Sequence, residues 1–559
     1  MAILLRFSVF ASFASLAVCK LPASHVHRVQ ETQSIQEYAS SDLVQQAVMI
    51  TQAKAFPITC LIVLLFVALA LHWHWSSAAQ KEAGAVNEGS AAERSVSVYR
   101  RDCVAMMKLT WPLILGNTLE WYEYGIYGYT ATQMNQNFFQ GSALATWLGY
   151  AITFVARPFG GVVLGWIADN MGRSISVQLS LIGMLFGTVG QGCLPGHYLG
   201  RSYESFGLVV LVFLRALQGL SAGGEVCAIS SYMVESVPHH VVGWSTMLIS
   251  FGGAAGFGMA ATFCDALNRM LTKEQMLTWG WRVPFVISIF PGLVALVGRN
   301  NIPETEAFLE EQEKDDSNDE KDSAVYELIR YRYTSLLVGL GAVIGIGTMW
   351  YVGPIWTVNA LLEPNLGAET SLSIASAGQW FTMLLSPMIG ILTDTKGIAW
   401  VVLAGASVIS LSALPVWMLI ALNPTSTVTA CMGIVGMWSV AQAVCGSTIY
   451  LFCAELFPTR LRTLGMSLSY NIAVSYFGGL GPALCQLLIE IAPLYGPGLW
   501  MSLCGFTSVL AVLWGLSLKN RGLLQLTHIR EEPYFGSVYG ADGELLVRAA
   551  TSGQGAQKP

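Results

Sequence analysis

The chain is 559 residues long, 53% hydrophobic and only 11% charged, with a formal net charge of -6; soluble domains carry about 25% charged residues. This excludes a soluble globular protein and leaves a polytopic membrane protein with room for about twelve helices of ~20 residues. The 11 cysteines form no C-x-x-C pair and no Cys/His spacing suited to zinc, and no phosphate loop or hydrolase motif is present, so neither a metal site, nor direct ATP coupling, nor an enzyme is expected.

Residues 1–19 read as a secretory signal: Arg6, an apolar core from Phe7 to Val18, and the small residues Ala17-Val18-Cys19. Residues 20–56 are polar. Residues 57–73 form an extra apolar span near the lower length limit, and 74–108 form a basic linker on the cytoplasmic side. The six-helix bundle of 109–299 follows, with spans near 109–134, 145–167, 174–193, 206–226, 243–264 and 281–299. A charged loop covers 300–333. The second bundle, 334–518, has spans near 335–357, 371–393, 399–421, 428–450, 464–488 and 497–518, and 519–559 is a cytoplasmic tail. Nineteen of the 29 Lys and Arg fall on the side read as cytoplasmic, against three in outer loops (Arg201, Arg269, Lys273), which sets the orientation. The chain is expected in the plasma membrane or in an organelle membrane reached by the secretory route.

Two turns repeat across the halves. Gly165-Trp166-Ile167-Ala168-Asp169-Asn170-Met171-Gly172-Arg173 and Gly390-Ile391-Leu392-Thr393-Asp394-Thr395-Lys396-Gly397 each join two apolar runs. An Asp at a helix C-terminus opposes that helix's own dipole. It therefore needs a basic loop residue or the N-terminus of a neighbouring helix. Asp169, Arg173 and Asp394 are accordingly gating candidates, with Glu225, Glu455 and Arg460.

Ionisable groups at bilayer depth cost about 2.5–3.5 kcal/mol each. The mid-span set is Glu120, Glu123, Arg157 and Arg215, all in the first half. Glu120 and Glu123 are three apart and share a helix face. Two carboxylates close together in low dielectric do not both ionise easily, which suits a proton carrier. Their alternative is a structural ion pair with either arginine. Glu120, Glu123 and Arg215 are the proton-coupling candidates. Arg157, in Ala156-Arg157-Pro158-Phe159-Gly160-Gly161, suits a bidentate grip on a substrate carboxylate, or permanently neutralises a glutamate. Gln218 shares a face with Arg215, and Gly219, Gly223 and Gly224 let another helix approach. Glu225 is either a gate residue or an interfacial charge. The second half offers uncharged candidates: Trp356, Asn359, Gln379, Gln442, Tyr450, Tyr470 and Asn471. Arg157, Tyr127, Gln218, Trp356, Gln379, Tyr470 and Asn471 form the expected substrate set.

The segment Gly116-Asn117-Thr118-Leu119-Glu120-Trp121-Tyr122-Glu123-Tyr124-Gly125-Ile126-Tyr127-Gly128 resembles the first helix of the metabolite:proton symporter family of the major facilitator superfamily. Glu123 stands where that family usually has Asp. Leu217-Gln218-Gly219-Leu220-Ser221-Ala222-Gly223-Gly224-Glu225, Gly280-Trp281-Arg282-Val283-Pro284-Phe285, Ala454-Glu455-Leu456-Phe457-Pro458-Thr459-Arg460-Leu461-Arg462 and Ser467-Leu468-Ser469-Tyr470-Asn471 match it too. Glu235-Ser236-Val237-Pro238-His239-His240 departs from it where Arg or Lys is usual. The resemblance implies an all-α membrane protein with the major facilitator fold, twelve transmembrane helices in two six-helix bundles, plus the signal and the extra span. It also implies alternating access around a midplane site, with the proton as coupling ion and no other cofactor. The expected function is proton symport of a small carboxylated metabolite or zwitterion, by a monomer in a lipid bilayer, with no nucleic-acid partner. A sugar-type facilitator of the same fold and a non-transporting sensor are the alternatives.

Overall fold

The computed structural model describes residues 89–196, 201–237, 239–299, 324–458, 461–521 and 524. The expected signal, the extra span and residues 74–88 of the linker lie outside the described residues, as do 300–323 of the charged loop and nearly all of the tail. Among the described residues eleven helices are long and apolar enough to cross a membrane, and there is no strand. A further long helix, α1, Gly89–Tyr129, precedes them. It carries Glu93, Arg94, Arg100, Arg101, Asp102 and Lys108 before its apolar run and Asn117, Glu120 and Glu123 within it. Its 41 residues span about 60 Å, twice a hydrocarbon core. The first helix thus begins 20 residues before the apolar run at 109, and the linker's second part is its helical extension.

The first half continues with α2 (Ala143–Met171), α3 (Arg173–Gly192), α4 (Ser205–Ser236), α5 (Val242–Met270) and α6 (Arg282–Arg299). The second half comprises α7 (Tyr333–Leu366), α8 (Ala368–Lys396), α9 (Ile398–Leu422), α10 (Thr427–Glu455), α11 (Arg462–Ile491) and α12 (Gly496–Asn520). The two halves meet along α5 with α8 and along α2 with α11. The repeated turns are alike: Gly172 at φ 110° and Gly397 at φ 93° each stand alone between two helices, a conformation that disfavours a side chain.

Small residues decide how α2 and α4 cross. A Cβ on Gly219 would collide with the Thr153 carbonyl, and one on Gly160 with that of Leu220. The helix of α4 itself breaks at Gly223-Gly224. In the second half, π-helical turns interrupt α7 at Val352–Trp356 and Val358–Leu362, α10 at Met432–Trp438 and α11 at Val474–Gly479. Such turns bulge a helix locally and recur at functional sites. Gly219→Leu is expected to lose most monodisperse protein on detergent size-exclusion chromatography, because the clash is with backbone and overpacking already costs about 1–3 kcal/mol where side chains can yield. A normal yield and melting temperature would show that the crossing can relax.

Candidate transport site and gates

The mid-span charges are drawn into two separate clusters. In the first, Arg157 on α2 donates from Nη2 to Glu120 Oε1 on α1 at 2.9 Å, with both side chains fully buried. Tyr124, one turn after Glu120, donates to the same oxygen at 3.2 Å and accepts from Arg157 Nη1 at 3.3 Å. The pair is only half satisfied: Glu120 Oε2 and Arg157 Nε have no hydrogen-bond partner. Unpartnered buried polar atoms are costly.

In the second cluster Gln218 on α4 stands between charge and countercharge. Its Nε2 donates to Glu123 Oε2 at 2.8 Å and to Thr188 Oγ1 at 2.9 Å, while its Oε1 accepts from Arg215 Nη1 at 3.0 Å. Arg215 also donates to the Tyr150 carbonyl at 2.9 Å and lies 4.3 Å over the Tyr127 ring. Glu120 and Glu123, three apart on one helix face, therefore meet different partners. Three residues along an α-helix rotate the side chain by about 60°, enough to aim Glu120 at α2 and Glu123 at α4. Tyr127 lies against Arg215, and Gln218 joins Arg215 to Glu123.

Of the two readings of Glu225, a gate residue or an interfacial charge, burial removes the second. The residue is fully buried, takes a hydrogen bond from Ser180 Oγ at 2.7 Å, and forms an ion pair with Arg299 of α6. Arg299 also donates to the Val177 carbonyl at 2.7 Å. The pair sits within the first half, so it joins helices of one bundle rather than the two bundles.

The second half supplies Tyr470, tilted against Tyr450 at 5.7 Å, and Asn471, whose Nδ2 donates to the Gly223 carbonyl at 2.6 Å in the break of α4. Asn471 Oδ1 remains without a partner. Gln379 donates to Gln442 at 3.2 Å, and Gln442 in turn to the Met349 carbonyl at 3.3 Å. Trp356 does not join them. It stacks on Trp417 at 5.5 Å and its Nε1 reaches Gln486 at 3.4 Å, so it packs one second-half helix against others.

Contacts cross between the halves at both ends of the site. At the end read as cytoplasmic, Asp394 accepts from the Gly243 and Trp244 amides at 2.6 and 2.9 Å and from Tyr99 Oη at 2.9 Å. The N-terminus of a neighbouring helix is thus a partner of this Asp: α5 begins after Val241, which has no capping side chain, and the other half supplies the cap. Arg462 Nη1 pairs with Glu235 at 2.9 Å and Thr463 donates to Ser231 at 3.0 Å, again across the halves. Glu455 is buried at the end of α10. Arg460 and the side chains of Asp169 and Arg173 lie outside the described residues. At the opposite end, Thr132 donates to Glu363 at 3.0 Å, Arg269 pairs with Glu369 at 3.4 Å, and Ser373 donates to Asp265 at 2.8 Å.

The family model described as "Sugar (and other) transporter" matches residues 109–330. The ectoine/proline transporter ProP of Corynebacterium glutamicum is 28% identical over 442 residues, covering 76% of this chain and 84% of that protein. A Staphylococcus aureus protein named as a proline/betaine transporter is 30% identical over 403 residues, covering 68% and 83%. This chain belongs to the major facilitator superfamily, in its metabolite:proton symporter family. The proton:xylose symporter XylE shares the fold, with a TM-score of 0.60 over 77% of this chain and 98% of XylE at 16% identity.

The transporter is a multi-pass membrane protein, and its site uses two residues that sequence reasoning left out. Arg299 sits at the end of an apolar run and reads there as an ordinary flanking cation. Its signal is Gly116 on α1, where a Cβ would collide with the Arg299 guanidinium. Arg462 lies two residues from Arg460, and its ion pair with Glu235 is fixed only by the meeting of α4 and α11. For the inner clasp, Asp394→Ala is expected to leave the Gly243 and Trp244 amides uncapped, a loss of about 0.5–2 kcal/mol. Hydrogen exchange at the start of α5 should quicken several-fold, and an unchanged rate would remove Asp394 from the clasp.

Proposed function

We propose that this transporter moves a small zwitterion bearing a carboxylate together with a proton, and that Arg157 is where substrate and proton meet. The carrying observation is the half-satisfied Glu120–Arg157 pair, joining α1 and α2 with both side chains at 0% exposure. A substrate carboxylate competes with Glu120 for the guanidinium fork. Once displaced, Glu120 is a second anion beside the substrate in a low-dielectric site, and taking up a proton removes that repulsion. Substrate and proton then bind together, which is the requirement for coupled symport. Glu123, held by an amide rather than a cation, is the second proton station. Alternating closure of the inner and outer contacts supplies access from one side at a time.

The names of the relatives, transporters of ectoine, proline and betaine, support a zwitterion. A neutral sugar has no charge with which to replace Glu120, so the pair gives the sugar-facilitator reading no support. One chain supplies both halves of the site, which suits a working monomer, with the proton as coupling ion and transport in place of catalysis. Residence in the plasma membrane or a secretory organelle rests on the signal-like residues 1–19. The test is proton flux in reconstituted vesicles. Alkalinisation of the medium on adding proline or glycine betaine, and not on adding xylose, is the expected result. Uptake of either zwitterion without proton movement would overturn the coupling.

A further inference from the structure

Two helices of the first half are interrupted beside Arg157, and each interruption leaves a carbonyl without its usual helical donor. Pro158 stands inside α2. Having no N–H, it cannot donate to the carbonyl four residues back, which is that of Phe154. Gly223 stands between the two segments of α4, which end at Ala222 and resume at Glu225, where carbonyls fall outside the helical ladder. Arg157 lies at both places. It directly precedes Pro158, and a Cβ on Gly223 would fall 2.2 Å from the Arg157 carbonyl. The backbone that carries the guanidinium is thus bounded by the two interruptions.

The second half supplies both missing donors from one face of α11. Ser475 donates from Oγ to the Phe154 carbonyl, and Asn471, one turn earlier, donates from Nδ2 to the Gly223 carbonyl at 2.6 Å. Both residues are fully buried, where an orphaned carbonyl is costly. Two glycines make the approach possible. A Cβ on Gly161 would fall 2.5 Å from Asn471 Nδ2, and one on Gly479, a turn after Ser475, would fall 2.2 Å from the Phe154 side chain. Ser475 also belongs to the π-helical turn Val474–Gly479 of α11, a local bulge of the kind that recurs at functional sites.

We infer that Ser475 and Asn471 are positioning residues: from the opposite half they hold the interrupted stretches of α2 and α4 that carry Arg157, and so fix the aim of its guanidinium. A proline inside a helix makes a point of bending. With no donor on the Phe154 carbonyl, the turn from Phe154 to Pro158 bends freely and takes the Arg157 side chain with it. Ser475 removes that freedom while α11 lies on α2, and Asn471 does the same for the Gly223 backbone that abuts Arg157. Both hydrogen bonds cross between the halves, so they are lost when the halves part along this seam. The arginine then loses its backing in the same step, which ties release of a carboxylate to opening. Neither residue has to touch the substrate for this. The inference rests on the proposed carboxylate grip of Arg157 and assigns what aims it.

The test is a double-mutant cycle between Pro158 and Ser475 in the full chain reconstituted in nanodiscs. Equilibrium binding of labelled proline and glycine betaine is measured, together with melting temperature. Pro158→Ala returns an amide donor to the Phe154 carbonyl and makes the Ser475 hydroxyl redundant. Ser475→Ala is expected to weaken binding roughly 5-fold in the otherwise unaltered chain, and less than about 1.5-fold in the Pro158→Ala chain. Ser475→Thr, which keeps the hydroxyl, should bind like the unaltered chain, a comparison that holds even if Pro158→Ala does not fold. An equal loss from Ser475→Ala in both backgrounds overturns the hold and leaves the carboxylate grip standing. A cycle seen in melting temperature but not in affinity also overturns it, because Ser475 then serves the fold and not the arginine. A coupled loss of affinity in a protein whose Arg157→Lys variant binds normally sustains the hold on this backbone and overturns the grip instead.

Discussion

Arg157→Ala is expected to reduce zwitterion uptake at least about 100-fold while leaving enough folded protein to assay. Two effects act together. The carboxylate grip is lost, and Glu120 is left fully buried with Tyr124 as its remaining described hydrogen-bond partner. Removing one member of a buried ion pair typically costs about 3–5 kcal/mol, so a lower melting temperature is expected as well. Arg157→Lys separates the two effects. It keeps the positive charge, and thus much of the stability, but loses the planar fork that serves both Tyr124 and Glu120. Its KM should rise roughly 10- to 100-fold with a near-normal melting temperature. Lysine supporting wild-type KM would mean that Arg157 serves only as countercharge to Glu120, and the substrate grip would have to be sought elsewhere.

Glu123→Gln is expected to abolish accumulation against a gradient while retaining exchange of labelled for unlabelled substrate. Exchange returns the carrier loaded on both strokes and needs no net proton movement, whereas accumulation needs the proton to bind outside and leave inside. The substitution is nearly isosteric, and Gln218 already offers both an amide donor and an acceptor at this position, so the cluster should stay folded. Glu120→Gln should behave differently. It frees the Arg157 fork, so substrate binding is expected to tighten while its dependence on pH weakens. If Glu123→Gln accumulates substrate like the unaltered protein, Glu123 carries no proton and Glu120 alone couples. If both variants accumulate normally, the coupling site lies outside this pair.

The class of molecule, its two halves and its four mid-span charges were legible in the sequence for one reason: a bilayer makes each of them expensive. An apolar run of about 20 residues has few other uses, and a charge within it has to be paired or working. The repeated Gly-Asp turn was legible because helix ends follow local rules, and one of the two partners expected for Asp394, the N-terminus of a neighbouring helix, is what it meets. The resemblance carried by residues 116–128 added the family. Which charge meets which was not legible, because pairing depends on the order of helices around the bundle and on a rotation of about 60° between Glu120 and Glu123. Only the tertiary structure put Arg157 on Glu120, inserted Gln218 between Arg215 and Glu123, and joined Glu225 to Arg299. It also gathered Trp121, Phe257, Trp350 and Tyr351. A tryptophan inside a membrane helix reads the same whether it faces lipid or a neighbouring helix, and nothing local to positions 121, 257, 350 and 351 tells that they converge.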